Sequence, residues 1–341
     1  MSDPSYLRWL VDNPPTTWWH DSGDPAELSK GLEHGASGVT TNPVLSAQAL
    51  AAHPEKWDDL LSAPSTKMAP EERAAYLVTG VAGRVATAVE HVHQQTEGQE
   101  GYACAQVHPG WAADRDAMLQ MAEQFHAFAS NISVKLPATA AGLDVLEECA
   151  AQGISVTATV SFTVPQVLEI AERYQAGLAR LPAGKSPGKC FAVIMIGRLD
   201  DYLAAVAKDS KANISDEDIR QAGLAVAKRA YQIYQERQYQ AVLLVAALRG
   251  TYHLTELAGA QLVMSVHPKY QQLFFDSPLP REPLIAKPVD PQVVNRLNQM
   301  PEFVRAYEPD GMSAEQFISY GVTQRTLSQF YESGWARLEK M

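Results

Sequence analysis

Lys135 lies in Asn131-Ile-Ser-Val-Lys-Leu-Pro-Ala-Thr139, a short apolar run that reads as a buried strand. An ammonium group in such a run has to leave water, and an unpaired buried charge costs several kcal/mol at least. Lysine is placed there mainly where its amine does chemistry, because desolvation raises the share of neutral, nucleophilic amine near neutral pH. The chemistry that suits it is Schiff-base formation with a carbonyl substrate. The competing reading is a head group that snorkels past the strand end into solvent.

Other strand-like runs end in polar residues of matching parity. Side chains alternate across a strand, so residues two apart share a face. Trp19 and Asp21 share a face on this count, as do Thr40 and Asn42, Cys104, Gln106 and His108, Ser133 and Lys135, and Thr157 and Thr159. The positions between them, among them Val39, Ala105, Val134, Leu136 and Val160, are apolar, as helix-facing positions should be. Each polar residue also has a plainer role open to it. Asp21 could cap the helix that begins near Pro25, although Asp24 is better placed to do so. Asn42 before Pro43 could be a turn residue, and Gln106, Thr157 and Thr159 could be hydrogen-bonded core polars. Convergence of five consecutive runs at one end favours a site.

The elements that would position these groups recur along the chain. Strand-like runs occupy Thr17–Ser22, Gly38–Asn42, Tyr102–His108, Ile132–Pro137, Ser155–Ser161, Cys190–Ile196, Ala241–Leu248 and Leu262–His267. Helical spacing of apolar residues fills the intervals, for example at Ala112–Ala129, Ala140–Ala151 and Pro165–Leu181. About eight strands alternating with helices predict an α/β chain folded as a (β/α)8 TIM barrel, whose site lies at the C-terminal strand ends. A doubly wound open sheet shares the alternation. A longer insert from Pro43 to Glu100 carries at least two further helices. A proline-rich loop from Asp276 precedes helical stretches near Pro291–Gln299 and Ala314–Leu338. The expected organisation is a single domain over 1–341, with a barrel at about 16–275, helical additions at both ends, and a C-terminal cap at about 288–341.

Composition bounds the function. The chain has 341 residues, and 28 basic against 39 acidic side chains give a net charge of -11, which argues against a general nucleic-acid or anionic-membrane surface. An anionic substrate would need local arginines. The start holds an early acid and no sustained apolar stretch, and the longest apolar run, Ala241–Leu248, is too short to span a bilayer, so a cytoplasmic protein is expected. Cys104, Cys149 and Cys190 are widely spaced and read as small buried hydrophobes, with neither a disulfide framework nor a zinc cluster.

Five segments together resemble the transaldolase family: His20-Asp-Ser-Gly-Asp-Pro-Ala-Glu-Leu28, Gly38-Val-Thr-Thr-Asn-Pro43, Val134-Lys-Leu-Pro-Ala-Thr139, Gly153-Ile-Ser-Val-Thr-Ala-Thr159 and Gly197-Arg-Leu-Asp-Asp201. The resemblance runs with gaps from about Trp18 to Pro268. It implies a class I aldolase barrel with the Schiff-base lysine on the fourth strand, at Lys135. It also implies Asp21 as the acid that takes a proton from the hydroxyl beside the bond being cleaved, Asn42 as a ligand of substrate hydroxyls, and Thr159 as a holder of the catalytic water. Thr40 and Thr157 join the set as neighbouring polar residues, and Arg198 and Arg249 match two arginines that grip the substrate phosphate. The implied reaction transfers a dihydroxyacetone unit from a ketose phosphate to an aldose acceptor, as in the pentose phosphate pathway. It needs no metal or organic cofactor. The partner is a sugar or sugar phosphate rather than nucleic acid or membrane, and a homodimer is an open possibility.

The chain departs from that family pattern in places. Gln106 stands where transaldolases carry a proton-shuttling glutamate, and an amide can position water but cannot accept a proton at neutral pH. Fructose-6-phosphate aldolases of the same superfamily are similar in having glutamine there, but they pair it with a tyrosine whose position here is Met195. Val193 and Ala247 replace two phosphate-binding serines, leaving His108 or His267 as candidate helpers of the arginines. Two alternatives therefore stand beside transfer: a simple aldolase, and a catalytically degenerate sugar-phosphate-binding barrel.

Overall fold

Seven runs of buried, mostly β-branched or small apolar residues pair in parallel: β1 (Thr17–His20), β2 (Ala103–Gln106), β3 (Ile132–Pro137), β4 (Val156–Thr159), β5 (Cys190–Met195), β6 (Val242–Ala246) and β7 (Val263–Val266). The sheet order is β1-β7-β6-β5-β4-β3-β2. Parallel strands need crossover helices that cover the sheet, which is why β2 to β5 and β7 are buried at every position rather than at alternate ones. The computed structural model describes residues 5–13, 15–62, 68–276 and 279–341. Residues 1–4 and 14 near the start, 63–67 of the insert and 277–278 of the proline-rich loop lie outside the described residues.

The sheet is curled. Trp19 of β1 and Phe191 of β5 meet edge to face at 4.6 Å between ring centroids, although β7 and β6 lie between their strands, and Tyr102 joins them at 5.5 Å from Phe191. The expected second strand, Gly38–Asn42, is reduced to Val39, which makes single parallel bridges to His20 on one side and to Ala103 on the other. The run is too short for a ladder, because Asn42 already caps the helix Pro43–Ala52 and Pro43 occupies its first turn. Gly38 is required at its position: a Cβ there would fall 2.6 Å from the Trp19 ring.

The expected strands β4 and β6 end earlier than their apolar runs, and for the same reason. Val160 and Ala247 adopt left-handed backbone with φ of 53° and 59°, which breaks the ladder and turns the chain toward the C-terminal face. Positive φ is rare for a β-branched residue and is sustained where the surroundings over-determine it. At Val160 they do: Gln166 Nε2 donates to its carbonyl at 3.1 Å and to that of Ala138 at 3.2 Å, tying the segments after β3 and β4 together.

Helix expectations hold in type and shift in bounds. Ala140–Ala151 is helical as expected, capped by Thr139, whose Oγ1 accepts from Gly142 N at 3.1 Å. Asp114, not Ala112, starts the helix Arg115–Phe128, because its carboxylate accepts from Ala117 N at 3.1 Å. The insert forms two long helices, Pro43–Ala52 and Pro70–Gln95, among shorter turns. Ala314–Leu338, expected as one helical stretch, is divided into Ala314–Phe317, Gly321–Phe330, a π-helical turn at Tyr331–Trp335 and Ala336–Leu338. Close packing accounts for the π turn. A Cβ on Gly334 would lie 2.6 Å from backbone atoms of Pro43 and Val44, so the C-terminal segment sits directly against the start of the Pro43–Ala52 helix. Among the described residues, no helix is long and apolar enough to cross a membrane. Cys104, Cys149 and Cys190 are buried free thiols.

Candidate active site

A cavity of about 310 Å³ opens at the C-terminal ends of the strands, the end where parallel α/β sheets place their ligands. Asp21, Thr40, Asn42, Lys135, Thr159, Arg198 and Arg249 all line it. Of the nine residues expected at a site, Gln106 and Thr157 are outside this lining.

Lys135 is 6% exposed, so its head group has not escaped to solvent. It is fixed in the middle of three strands, in register with Gln106 on β2 and Thr157 on β4. Its Nζ donates to the Thr41 carbonyl at 3.0 Å, and among the described residues no carboxylate forms an ion pair with it. An amine held by one neutral acceptor has two further positions free to act.

Across the cavity, Asp21 follows β1 and is anchored by its own N–H, which donates to Val266 O at 3.2 Å. Its Oδ1 accepts from Thr40 Oγ1 at 2.7 Å, and Thr40 Oγ1 also lies 2.6 Å from Ser265 Oγ. A carboxylate only accepts, so the single hydroxyl proton of Thr40 goes to Asp21 and Ser265 must donate to Thr40. The result is a directed chain, Ser265 to Thr40 to Asp21. Capping of the helix Pro25–Glu33 falls to Asp24, whose Oδ1 accepts from Ala26 N at 2.8 Å, so Asp21 is free of that duty. Asn42 caps the helix Pro43–Ala52, its Oδ1 accepting from Val44 N and Leu45 N at 2.9 and 3.0 Å, and it also lines the cavity.

Gln106 is 2% exposed, and its Oε1 has no hydrogen-bond partner among the described residues. It is the register partner of Lys135 on the neighbouring strand, a buried acceptor next to the cavity lining. Thr157 belongs to the interior: its hydroxyl pairs with Ser133 Oγ at 2.7 Å and receives the Cys104 thiol at 3.5 Å. The reading of Thr157 as a satisfied core polar is the one its contacts match. Thr159 lies one pleat nearer the mouth, with Met195 Sδ at 4.0 Å as its side-chain neighbour.

The two arginines follow β5 and β6. Gly197 lets them approach, since a Cβ there would fall 2.3 Å from Ala247 O and 2.5 Å from Arg249 Cγ. Arg249 is gripped by Asp201, with Nη2 donating at 2.6 Å and Nε at 3.0 Å to the same oxygen. Burial alone would lower its pKa, but the Asp201 carboxylate raises it on balance. Arg198 has no such partner; burial and the neighbouring Arg249 charge bring its pKa down to about 10. Beneath them His253 and Asp200 form a buried pair at 3.0 Å, and His253 Nδ1 accepts from Arg249 N at 3.1 Å, which fixes the arginine's backbone.

Of the two histidines proposed as helpers, His267 lines the cavity and His108 does not. His108 is stacked on Trp111 and against Trp335 under the C-terminal segment, where burial lowers its pKa to about 4. Its parity with Gln106 misled because β2 ends at Gln106 and the chain then turns away through Pro109. Ser265, Gln329 and Phe330, not among the residues expected from the sequence, also line the cavity. Ser265 carried a signal, as a lone hydroxyl inside the apolar run Leu262–Val266.

A model of the transaldolase/fructose-6-phosphate aldolase family matches residues 18–338, nearly the whole chain. The chain belongs to that family. Among curated relatives, the transaldolase of Neisseria gonorrhoeae is 28% identical over 328 residues, covering 92% of this chain and 83% of its own. The transaldolase of Thiobacillus denitrificans is 28% identical over 72% of this chain and 70% of its own, and transaldolase 1 of Streptomyces avermitilis is 29% identical over 67% and 64%. Membership makes this a transaldolase-like enzyme of the aldolase-type transferase class.

Proposed function

We propose that the enzyme transfers a dihydroxyacetone unit from a ketose phosphate to an aldose acceptor through a covalent iminium at Lys135. The observation that carries this is the pairing of a buried, carboxylate-free amine with an anchored carboxylate, Asp21, on the walls of one cavity. The neutral amine adds to the ketone carbon, and loss of the former carbonyl oxygen as water leaves the iminium. Asp21 accepts the proton of the hydroxyl on the departing carbon of the bond to be broken, and that oxygen becomes the carbonyl of the aldehyde. That bond's electron pair moves into the iminium, an aldehyde departs, and an enamine remains on the lysine. Attack of the enamine on the acceptor aldehyde reverses these steps, and hydrolysis of the new iminium frees the product and the amine.

In this reading Gln106 and Thr159 position the water that enters and leaves, Asn42 holds substrate hydroxyls, and Arg198 and Arg249 take the phosphate. The sheet serves the chemistry as a (β/α)8 barrel, with residues 38–42 as the eighth stave through the bridges of Val39. The chain acts as one domain over 1–341, the C-terminal helices lying over the cavity mouth.

Simple aldol cleavage is the second reading, favoured by Gln106, which cannot carry a proton as glutamate would. Its weakness is Met195, a side chain without an acidic proton at the position where that branch has a tyrosine. Product analysis with fructose 6-phosphate, with and without an acceptor aldehyde, separates the two: transfer requires the acceptor, cleavage does not. Lys135→Ala should abolish both while leaving the fold intact. Turnover by that variant would overturn the mechanism.

A further inference from the structure

The two arginines at the cavity mouth are in different states. Arg249 is matched in a fork by Asp201. Arg198 meets no carboxylate among the described residues; its Nη1 donates to Gln329 Oε1 at 2.5 Å and its guanidinium lies over the Phe330 ring at 5.3 Å. A guanidinium has no acceptor, so the Gln329 atom facing it must be the carbonyl oxygen, and the amide nitrogen with its two N–H donors turns elsewhere. The same cavity is lined by Val193, Ala247 and Leu248, which have no side-chain donor, and by Lys269 and Tyr270, which follow β7 and have one.

Gln329 is delivered by the C-terminal helix Gly321–Phe330, which is held at both ends. Gly334 packs on the backbone of Pro43 and Val44, next to Asn42, and Gly321 packs on Tyr202, where a Cβ would lie 2.6 Å from the hydroxyl. Tyr202 belongs to Ile196–Ser210, the helix that carries Arg198. The segment thus spans the cavity mouth from the Asn42 side to the arginine side, and the placement of Gln329 is set by packing rather than by its own bond to Arg198.

We propose that Gln329 is a specificity-determining residue of the anion subsite: its amide oxygen aims Arg198, and its amide N–H groups donate to a phosphate held between the two arginines. This rests on the transfer reading for the identity of the ketose, but phosphate binding itself does not need the Lys135 amine. A neutral donor suits this place. It adds a hydrogen bond to the anion without adding charge beside two guanidiniums that already repel one another.

Inorganic phosphate titrated calorimetrically into the parent, Gln329→Ala and Gln329→Glu tests the inference, together with the ratio of KM for fructose to KM for fructose 6-phosphate. Gln329 is exposed, so neither substitution disturbs the core. The alanine variant should bind phosphate about tenfold more weakly, the loss of one donor to a charged group, and its KM ratio should fall by the same factor. The glutamate variant should bind phosphate more weakly still, because its carboxylate pairs with Arg198 and repels the anion. A parent that does not bind phosphate, an alanine variant that binds it as the parent does, or a KM that rises equally for both sugars would overturn the inference. Phosphate binding that depends on Gln329, in a protein that forms no covalent adduct with any ketose, would uphold the subsite and remove the Schiff-base reading instead.

Discussion

Thr40→Val tests the directed chain Ser265 to Thr40 to Asp21 with a near-isosteric change that removes only the hydroxyl. The variant takes one hydrogen bond from Asp21 and leaves Ser265, 1% exposed, with a donor that has lost its acceptor. A bond to a charged group contributes ~1.5–3 kcal/mol. Asp21 is half-buried, so solvent on its open side reduces its share to about 1 kcal/mol. The orphaned Ser265 donor adds ~1–3 kcal/mol, giving a total destabilisation of about 2–4 kcal/mol for Thr40→Val. Ser265→Ala loses one neutral bond, about 1 kcal/mol. In the double variant no serine donor is left to orphan, so it should be only about 2 kcal/mol less stable than the parent, and the cycle should show a coupling of about 1–3 kcal/mol. Urea unfolding of the four proteins reads this directly. In the same set, kcat/KM for the ketose should fall about tenfold to a hundredfold with Thr40→Val, because the freed carboxylate is no longer aimed, and less with Ser265→Ala. Additive single effects, within about 0.5 kcal/mol, would refute the proton assignment along the chain.

Three further outcomes follow from the geometry. His20 is fully buried, and burial, opposed by Asp21 and Gln271, lowers its pKa from 6.5 to about 4; the unfolded chain therefore binds the proton first, so its stability contribution is complete above pH 6.5 and is lost as pH falls toward 4, by at most about 3 kcal/mol. Urea midpoints across that range should decline, His20→Asn should flatten the decline, and an unchanged slope in the variant would show that other groups cause it. Gly197→Ala places a Cβ 2.3 Å from Ala247 O, so it should push the Arg249 segment off Arg198, cost ~1–3 kcal/mol in unfolding free energy and raise KM for the phosphorylated ketose; a KM equal to the parent's would contradict the role given to that close approach. Gln106→Glu restores a group that can carry a proton and should raise the ratio of transfer to cleavage products; no change in that ratio would remove Gln106 from the proton path.

The site was more legible in the sequence than the sheet that carries it. Parity along short strands placed Asp21, Thr40, Asn42, Lys135 and Thr159 on one cavity, because side-chain alternation is dictated by backbone geometry alone. The same count failed where a strand stopped: Gln106 is the last residue of β2, so His108 beyond it lost the parity. Thr157 had the right parity but lay too deep, a distance that alternation does not encode. Strand ends at Val160 and Ala247 were hidden because left-handed backbone at a valine or alanine has no sequence signature, unlike at glycine. Gly38–Asn42 looked like a strand by composition, yet its cap and proline left room for one bridging residue. Gln329 and Phe330 reach the cavity from more than 100 residues away along the chain, by tertiary packing that no local pattern announces.

The central claim is that the Lys135 amine bonds covalently to a ketose. Borohydride reduction of the parent in the presence of fructose 6-phosphate, followed by peptide mass mapping, addresses it without any assumption about the acceptor. The reduced sugar phosphate is expected on the peptide that contains Lys135, with no such adduct in Lys135→Ala. An adduct on a different lysine, or none with any ketose tried, would contradict it.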